Sequence, residues 1–164
     1  PAPGFDPDRV RPIDMWASAE AQELAGVSPK MHTEFSLDCE KTLLAPFGLN
    51  GYGCCEALDR KMEDVLTIPN IRRVSIAPFA DVDVCAEKLR DAAIFSWKPH
   101  PAHLVGAFDD DRIRDTIRHA VEVTQANNCV MEMVLKDTHT CEHHPERFDR
   151  WVVIAREVRQ EAGY

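Results

Sequence analysis

The sequence predicts an α/β fold in which about four parallel strands alternate with helices. Short apolar runs such as "RVSIA" and "VMEMVL" are typical of strands that are buried on both faces. A helical pattern follows each strand, and parallel neighbours require such a crossover. We therefore predict strands near residues 50–55, 72–77, 92–97 and 129–136.

The N-terminal part, residues 1–24, is predicted to be an extended arm that ends where the first helix begins. Four of the eleven prolines fall within residues 1–12, and prolines at this density favour loops. Ser28 and Pro29 supply the N-cap and the first-turn proline of the first helix. His32 is expected on this helix at the surface or in a groove. Its buried face is expected to carry four side chains at four-residue spacing, Met31, Phe35, Cys39 and Leu43.

Further helices are predicted between and after the later strands. The segment "LDRKMEDVLTI" is a helical link before the second strand, and "ADVDVCAEKL" is a short helix after it. The segment "DDRIRDTIRHAVEVTQANN" is an amphipathic helix, and Pro145 opens the closing helix. The amphipathic helix is expected to bury Ile113, Ile117, Ala120 and Val121.

The composition is that of an ordinary globular domain, and it argues against several classes of partner. The chain has 164 residues, of which 45% are hydrophobic and 29% charged. Its net charge of −9 argues against nucleic acid or an anionic membrane surface, and no run approaches the roughly 20 apolar residues of a membrane span. Six scattered cysteines and the lack of a recognisable secretion signal predict reduced thiols and a cytoplasmic location.

Titratable and metal-binding side chains gather where the predicted strands end. In parallel α/β folds the loops after the strands converge at one edge, and active sites form there. The starts of the strands carry few such groups. The four strand ends supply, in chain order, Cys54, Cys55 and Glu56, then Ser75, Phe79 and Asp81, then Lys98, Pro99 and His100, and last Lys136, Asp137, His139 and Cys141.

These strand ends include a set of groups that zinc accepts. Zinc binds thiolate, imidazole and sometimes carboxylate ligands. Strand alternation predicts that one of the two adjacent cysteines faces the site while the other packs against the helices. The candidate ligands are Cys54 or Cys55, His139, Cys141 and, as a carboxylate, Glu56 or Asp81.

A plainer interpretation of the same residues is left open. Adjacent cysteines are often small buried side chains, and Cys54 and Cys55 fit that role. Lys98 would then end a strand in solvent, and the loop "THTCEHH" would be solvated.

The order of motifs resembles a known superfamily. The segments are "SPKMHTEF", "LLAPFGLNGYGCCE", "IRRVSIAPFADV", "AIFSWKPHPAHL" and "VMEMVLKDTHTCEHHPERFDRWVVIAREV". They are similar to the C-terminal half of uroporphyrinogen decarboxylase-like proteins, a superfamily that also contains cobalamin-dependent methyltransferases, and most closely to an uncharacterised branch of it. The resemblance implies a TIM-barrel type of fold, in which residues 25–164 form a (β/α)4 half of a (β/α)8 barrel.

The resemblance also implies zinc-assisted transfer of a methyl group to a thiol acceptor. The donor would be a methylated small molecule or a corrinoid on a partner protein, and zinc would lower the pKa of the acceptor thiol. Tyr52 or Gly53 stands where such methyltransferases have a histidine ligand. The residues implied are Cys54 or Cys55, His139 and Cys141 as ligands, Glu56 or Asp81 as proton-handling carboxylates, and Lys98 and Lys136 as anchors for an anionic substrate.

Two other functions are open on the sequence alone. A metal-free decarboxylase or lyase would hold a carboxylated small molecule with Lys98 or Lys136 and move protons with Asp81 or His139. A non-catalytic half-barrel that binds a small ligand or a partner subunit is the third hypothesis.

An open half-barrel would leave two parallel edge strands and an apolar sheet face uncovered. We therefore expect a homo-oligomer, or an N-terminal half outside this sequence, to cover them.

Overall fold

Five parallel strands form one sheet in the computed structural model, which describes residues 4–163. Each strand lies beside its neighbours in the chain, so the order across the sheet is the order in the sequence. Every pairing between neighbours is parallel. The strands are β1 (Trp16–Ala19), β2 (Leu49–Tyr52), β3 (Ile71–Ile76), β4 (Ile94–Trp97) and β5 (Val130–Met133).

The helices of the described residues lie between and after these strands. They are α1 (Pro29–His32), α2 (Asp38–Leu44), α3 (Met62–Val65), α4 (Val82–Leu89), α5 (Asp110–Ala126) and α6 (Glu146–Glu161). A π-helical turn, Thr33–Leu37, joins α1 to α2. Short 3₁₀ turns lie at Pro12–Asp14, Gln22–Leu24 and Pro101–Leu104. Within residues 4–163, no helix is both long enough and apolar enough to span a bilayer.

The predicted alternation of parallel strands and helices is confirmed, but the count of four strands is too low. The fifth strand, β1, lies within residues 1–24, the segment predicted to be an arm. It pairs with β2 from Trp16 opposite Leu49 to Ala19 opposite Tyr52. The segment "WASA" has no run of large apolar residues, so its pairing partner rather than its own pattern defines this strand.

The two faces of the sheet differ in polarity. Because each connection moves one strand along in the same direction and crosses over with a right hand, the helices lie on one face. The core on that face contains alternate strand residues, Val74, Ile76, Phe95 and Trp97. Register partners on the opposite face are Ser75, Ser96 and Glu132. The uncovered face is therefore mixed and not uniformly apolar, because Ile94 and Val130 lie on it beside these polar positions.

A charged pair lies on this face. Arg73 of β3 forms an ion pair with Glu132 of β5, so the pair reaches across β4. Arg73 shares the face with Ser75, two residues further along the strand. Ser96 of the intervening strand is fully buried. The wall opposite the helices thus combines hydroxyl and charged groups with apolar side chains such as Ile94, the register partner of Arg73, and Val130, the register partner of Ile94.

The predicted buried face of the first helical segment is wrong. The four residues assigned to it are exposed, and the side chains buried instead are His32, Leu37 and Leu44. Steps of four residues overshoot a full α-helical turn by roughly 40°, so a stripe at that spacing drifts around the helix. The π-helical turn, with its wider i→i+5 bonding, rotates the face again. His32, expected at the surface or in a groove, is buried as a consequence.

The capped helices follow the sequence pattern more closely. The Ser28 hydroxyl accepts a hydrogen bond from the Met31 amide at 3.3 Å, as an N-cap does. Asp109 caps α5 in the same way through the Arg112 amide, at 3.0 Å. The buried side chains of α5 include the four that were predicted, Ile113, Ile117, Ala120 and Val121.

The pair Leu44→Ala and Leu43→Ala tests the corrected face with the same change at neighbouring positions. Leu44 is 3% exposed and Leu43 is 71% exposed. We expect Leu44→Ala to lower the free energy of unfolding by about 2–5 kcal/mol, because it leaves a cavity in the core. Leu43→Ala should change it by less than about 0.5 kcal/mol. Urea unfolding measures both values, and equal losses would contradict this assignment of the buried face.

Candidate functional site

The segment after β2 turns sharply at Gly53. This glycine has a φ of +90°, and a Cβ there would lie 2.7 Å from Leu58 Cδ1 and 3.3 Å from Ser75 Cβ. Beyond the turn, Cys54 and Cys55 no longer follow strand geometry, and their Sγ atoms lie 3.5 Å apart. The predicted alternation, with one thiol outward and one in the core, is therefore wrong, because the strand ends at Tyr52.

The carbonyl oxygen of Cys54 fixes this loop to the neighbouring strands. The Ser75 hydroxyl of β3 donates to it at 3.0 Å. The Lys98 ammonium, directly after β4, donates to the same oxygen at 3.3 Å. The ends of three adjacent strands therefore meet at one backbone carbonyl.

The Glu56 side chain stabilises this loop through hydrogen bonds to its backbone. Its buried carboxylate accepts hydrogen bonds from the Cys54 amide at 2.9 Å and from the Ala21 amide at 3.3 Å. Ala21 follows β1, so one side chain joins the exits of β1 and β2. Glu56 was predicted to handle protons or bind a metal, and the structure places it as a positioning residue.

Lys136 reaches the thiol pair from the end of β5. Its ammonium donates to Cys54 Sγ at 2.8 Å and to Cys55 Sγ at 3.2 Å. Asp137 lies beside both partners, with its Oδ2 3.8 Å from the Lys136 Nζ and 3.5 Å from Cys55 Sγ. The lysine and the two sulfur atoms form the centre of the candidate site.

The thiol and the lysine are both held in their protonated forms. The nearby Glu20 carboxylate raises the pKa of Cys54 to about 11, and the opposing effect of Lys136 is smaller. The hydrogen bond to Cys54 raises the pKa of Lys136. At neutral pH the cluster therefore offers a neutral thiol beside an ammonium group.

Lys98 differs from Lys136 in its surroundings. It is 7% exposed, and no carboxylate within residues 4–163 forms an ion pair with it. Burial lowers its pKa, and repulsion from Lys136 lowers it further. A buried lysine without a carboxylate partner is rare in folded proteins.

A shallow, open cleft lies beside Cys55, and Cys54, Lys98 and Lys136 are not part of its lining. Its volume is about 430 Å³, and it is lined by Gln22, Glu23, Ala25, Cys55 and Glu56. The exits of β1 and β2 form its wall, so the cleft opens at the carboxyl edge of the sheet. That is where ligands bind in parallel α/β folds.

Three predicted site residues lie apart from this centre. The Asp81 carboxylate is exposed and caps α4 by accepting from the Val84 amide at 3.0 Å. His139 is exposed and Cys141 is half-buried. In the part of the chain that the structure describes, neither His139 nor Cys141 hydrogen-bonds to the thiols through its side chain.

The arrangement does not fit a zinc ion. Across residues 4–163, no group of three or more histidine, cysteine, aspartate or glutamate side chains is placed to hold a metal. The Lys136 ammonium contacts both sulfur atoms, which is where a bridging cation would have to bind. The two thiols instead face a fixed positive charge.

Comparisons with known proteins identify no relative. No protein-family model matches the chain, and neither does any curated protein or solved structure. Function is therefore inferred from the geometry of the site.

Glu20 belongs to the site but was missed in the sequence. It directly follows β1, and its carboxylate sets the pKa of Cys54. The rule that site residues follow the carboxyl ends of parallel strands, here called the strand-end rule, would have selected Glu20 if "WASA" had been recognised as a strand. The missed carboxylate thus follows from the missed strand.

A second buried polar cluster lies on the helix side of β2. His32 Nε2 lies 2.8 Å from the Tyr52 hydroxyl, which donates to Glu40 Oε2 at 2.9 Å. His32 Nδ1 is buried and has no hydrogen-bond partner among the described residues. Burial is the main cause that lowers the pKa of His32, and burial raises the pKa of Glu40. His32 is therefore held neutral, with Nε2 donating to Tyr52.

The lowered pKa of His32 makes stability depend on pH. Below about pH 6.5 the unfolded chain binds a proton at this position while the native chain does not, so the free energy of unfolding falls as the pH drops. One such group changes the free energy of unfolding by at most about 1.4 kcal/mol per pH unit. We expect His32→Gln to reduce the slope between about pH 7 and pH 5 in urea unfolding.

The matched control for this prediction is His119→Gln on the exposed side of α5. It should change the slope less than His32→Gln does. A slope that is the same in His32→Gln and in the unsubstituted chain would contradict the prediction.

Proposed function

We propose that the chain binds a small carboxylated molecule at the carboxyl edge of its sheet and acts on it as a metal-free decarboxylase or related lyase. One observation carries this proposal. The buried Lys98 has a backbone carbonyl as its hydrogen-bond partner and no carboxylate within the described residues, and it lies near a second lysine, Lys136. Buried cations are costly unless they are paired. A bound carboxylate would supply the pairing that the folded chain lacks.

The neighbouring groups suit a decarboxylation. Loss of CO₂ breaks a carbon–carbon bond and leaves the electron pair on carbon, which must then take up a proton. The neutral Cys54 thiol would give that proton, and the Lys136 ammonium, which contacts its sulfur, would stabilise the thiolate that remains. The thiolate regains its proton from water. Glu56 acts on the reaction through the loop that it positions.

Zinc-assisted methyl transfer from a corrinoid stays a prediction from the sequence. In the described residues the Cys54 and Cys55 thiols lie together, but His139 and Cys141 do not join them as further ligands. A non-catalytic binding module would use the same lysines without turnover, so product formation separates it from the lyase.

We also infer that the five strands are part of a closed (β/α) barrel of the TIM type. The strand order follows the sequence, the helices lie on one face, and the other face carries Arg73, Glu132 and serines. In a TIM barrel this inner face is filled by layers of side chains, and the ligand site lies above them at the carboxyl edge, where Lys98 and Lys136 follow their strands. β1 and β5 are the edges of the described sheet, and a parallel strand from a second copy or from further chain would pair with each.

Carboxylate binding tests the proposed function. We expect Lys98→Met and Lys136→Met each to weaken binding of small mono- and dicarboxylates by about tenfold or more, or ~1.4 kcal/mol, because each removes a positive charge. Titration calorimetry with a panel of such acids measures this, and release of labelled CO₂ reports turnover. Lys30→Met, on the exposed side of α1, is the matched control and should keep the binding. Equal affinity in all three variants would contradict the proposal.

Light scattering tests the edge pairing. We expect the isolated chain to have a mass at least twice that of one copy, because two parallel edges are left open. Val130→Lys places a charge on the exposed start of β5 and should weaken the association. Val153→Lys, on an exposed position of α6, controls for added charge. A well-folded monomer at micromolar concentration would contradict the prediction.

A further inference from the structure

We propose that the Lys98 side chain is a nucleophile that forms an imine with the ketone of a 3-oxo acid. This inference rests on the proposed function and names its substrate class. It gives Lys98 a covalent role beyond attracting a carboxylate. The reaction is then decarboxylation through an electron-accepting imine, which needs no metal.

The position of Lys98 suits an amine that reacts. It directly follows β4 at the carboxyl edge of the sheet, and its Nζ lies 3.3 Å from the Cys54 carbonyl oxygen. The cost of burying an ammonium without a carboxylate partner favours loss of its proton, so the Lys98 side chain can exchange between a cation that attracts the acid and an amine that attacks the ketone. Lysines become nucleophilic when they are desolvated or lie beside another cation. Both conditions hold here, and the lowered pKa of Lys98 agrees with them.

Lys136 has the complementary role. Two sulfur atoms accept hydrogen bonds from its ammonium, and Asp137 lies nearby. These acceptors favour the charged form, and the pKa of Lys136 is raised accordingly. Lys136 therefore binds the substrate carboxylate as a cation, while Lys98 attacks the ketone as an amine.

The steps balance without an oxidant or a reductant. The Lys98 amine adds to the ketone and water leaves, which gives a protonated imine. The bond to the carboxylate carbon breaks, CO₂ leaves, and the electron pair moves toward the nitrogen to form an enamine. The Cys54 thiol protonates the enamine carbon, and water then hydrolyses the imine to release the ketone and the free Lys98 amine. The net change is a 3-oxo acid plus one proton giving a ketone and CO₂.

Lys61 provides a matched comparison within the same chain. It is also buried, a backbone carbonyl of Leu24 accepts from its Nζ at 2.7 Å, and burial lowers its pKa. The charge of Glu56 opposes that shift, whereas Lys136 adds to the shift at Lys98. If burial alone were enough, both lysines would react. We assign the reaction to Lys98, because its pKa is lowered by the neighbouring Lys136 as well as by burial.

Reductive trapping tests the inference directly. The chain is incubated with acetoacetate and sodium cyanoborohydride, digested, and mapped by mass spectrometry. We expect a stable secondary amine on Lys98, at a yield at least tenfold above that on Lys61 or on the exposed Lys30. Because the adduct is mapped on the unsubstituted chain, this result does not depend on whether a variant folds.

Two variants separate the covalent role from the charge. Lys98→Arg keeps a cation but cannot form an imine, so it should lose the adduct while it still binds carboxylates. Lys61→Arg should leave the Lys98 adduct unchanged. Thermal unfolding confirms that each variant is folded.

The outcomes distinguish this inference from the proposed function. Carboxylate binding that depends on Lys98 and Lys136, together with no adduct on Lys98, overturns the imine and leaves the binding proposal intact. Equal labelling of Lys98, Lys61 and Lys30 also overturns it. Absence of any carboxylate binding overturns both proposals.

Discussion

The buried carboxylate of Glu56 is the interaction on which the rest of the site depends. It accepts hydrogen bonds from the backbone amides of Ala21 and Cys54, and so joins the exits of β1 and β2. Ala21 and Glu56 are 35 residues apart in the sequence. Hydrogen bonds to a charged group contribute about 1.5–3 kcal/mol each. The Cys54 carbonyl is thereby held where Ser75 and Lys98 reach it. The positions of both lysines relative to the thiols follow from this one side chain.

The strand-end rule predicted the centre of the site because it rests on topology. Parallel strands end at one edge whatever their exact register, so Cys54, Lys98 and Lys136 meet even though the strand bounds were approximate. The same rule failed for His139 and Cys141, because it assumed an extended loop after β5. Asp137, Glu142 and His143 all have positive φ values, so that loop coils and the parity of its side chains is lost.

Two other sequence predictions, the missing strand β1 and the buried face of α1 and α2, were wrong because these features depend on neighbouring parts of the chain. β1 forms because β2 provides its hydrogen-bonding partner, and a four-residue segment with only one large side chain, Trp16, carries little strand signal of its own. The buried face of α1 and α2 depends on the π-helical turn between them, which sequence periodicity does not reveal. By contrast, α5 runs for 17 residues without a break, so its buried face could be predicted from spacing alone.

The lysine cluster and the wall opposite the helices are one continuous surface. Lys98 lies two residues beyond Ser96, so strand alternation places it on the same face, and Lys136 lies four residues beyond Glu132 with the apolar Val134 between them. The ladder extends that far, because the Lys98 amide donates to the Ile76 carbonyl and the Val134 amide to the Trp97 carbonyl, both at 2.9 Å. Odd and even positions of the same strands thus build two structures. One set forms the apolar core beneath the helices, and the other forms the opposite wall, whose upper end is the site.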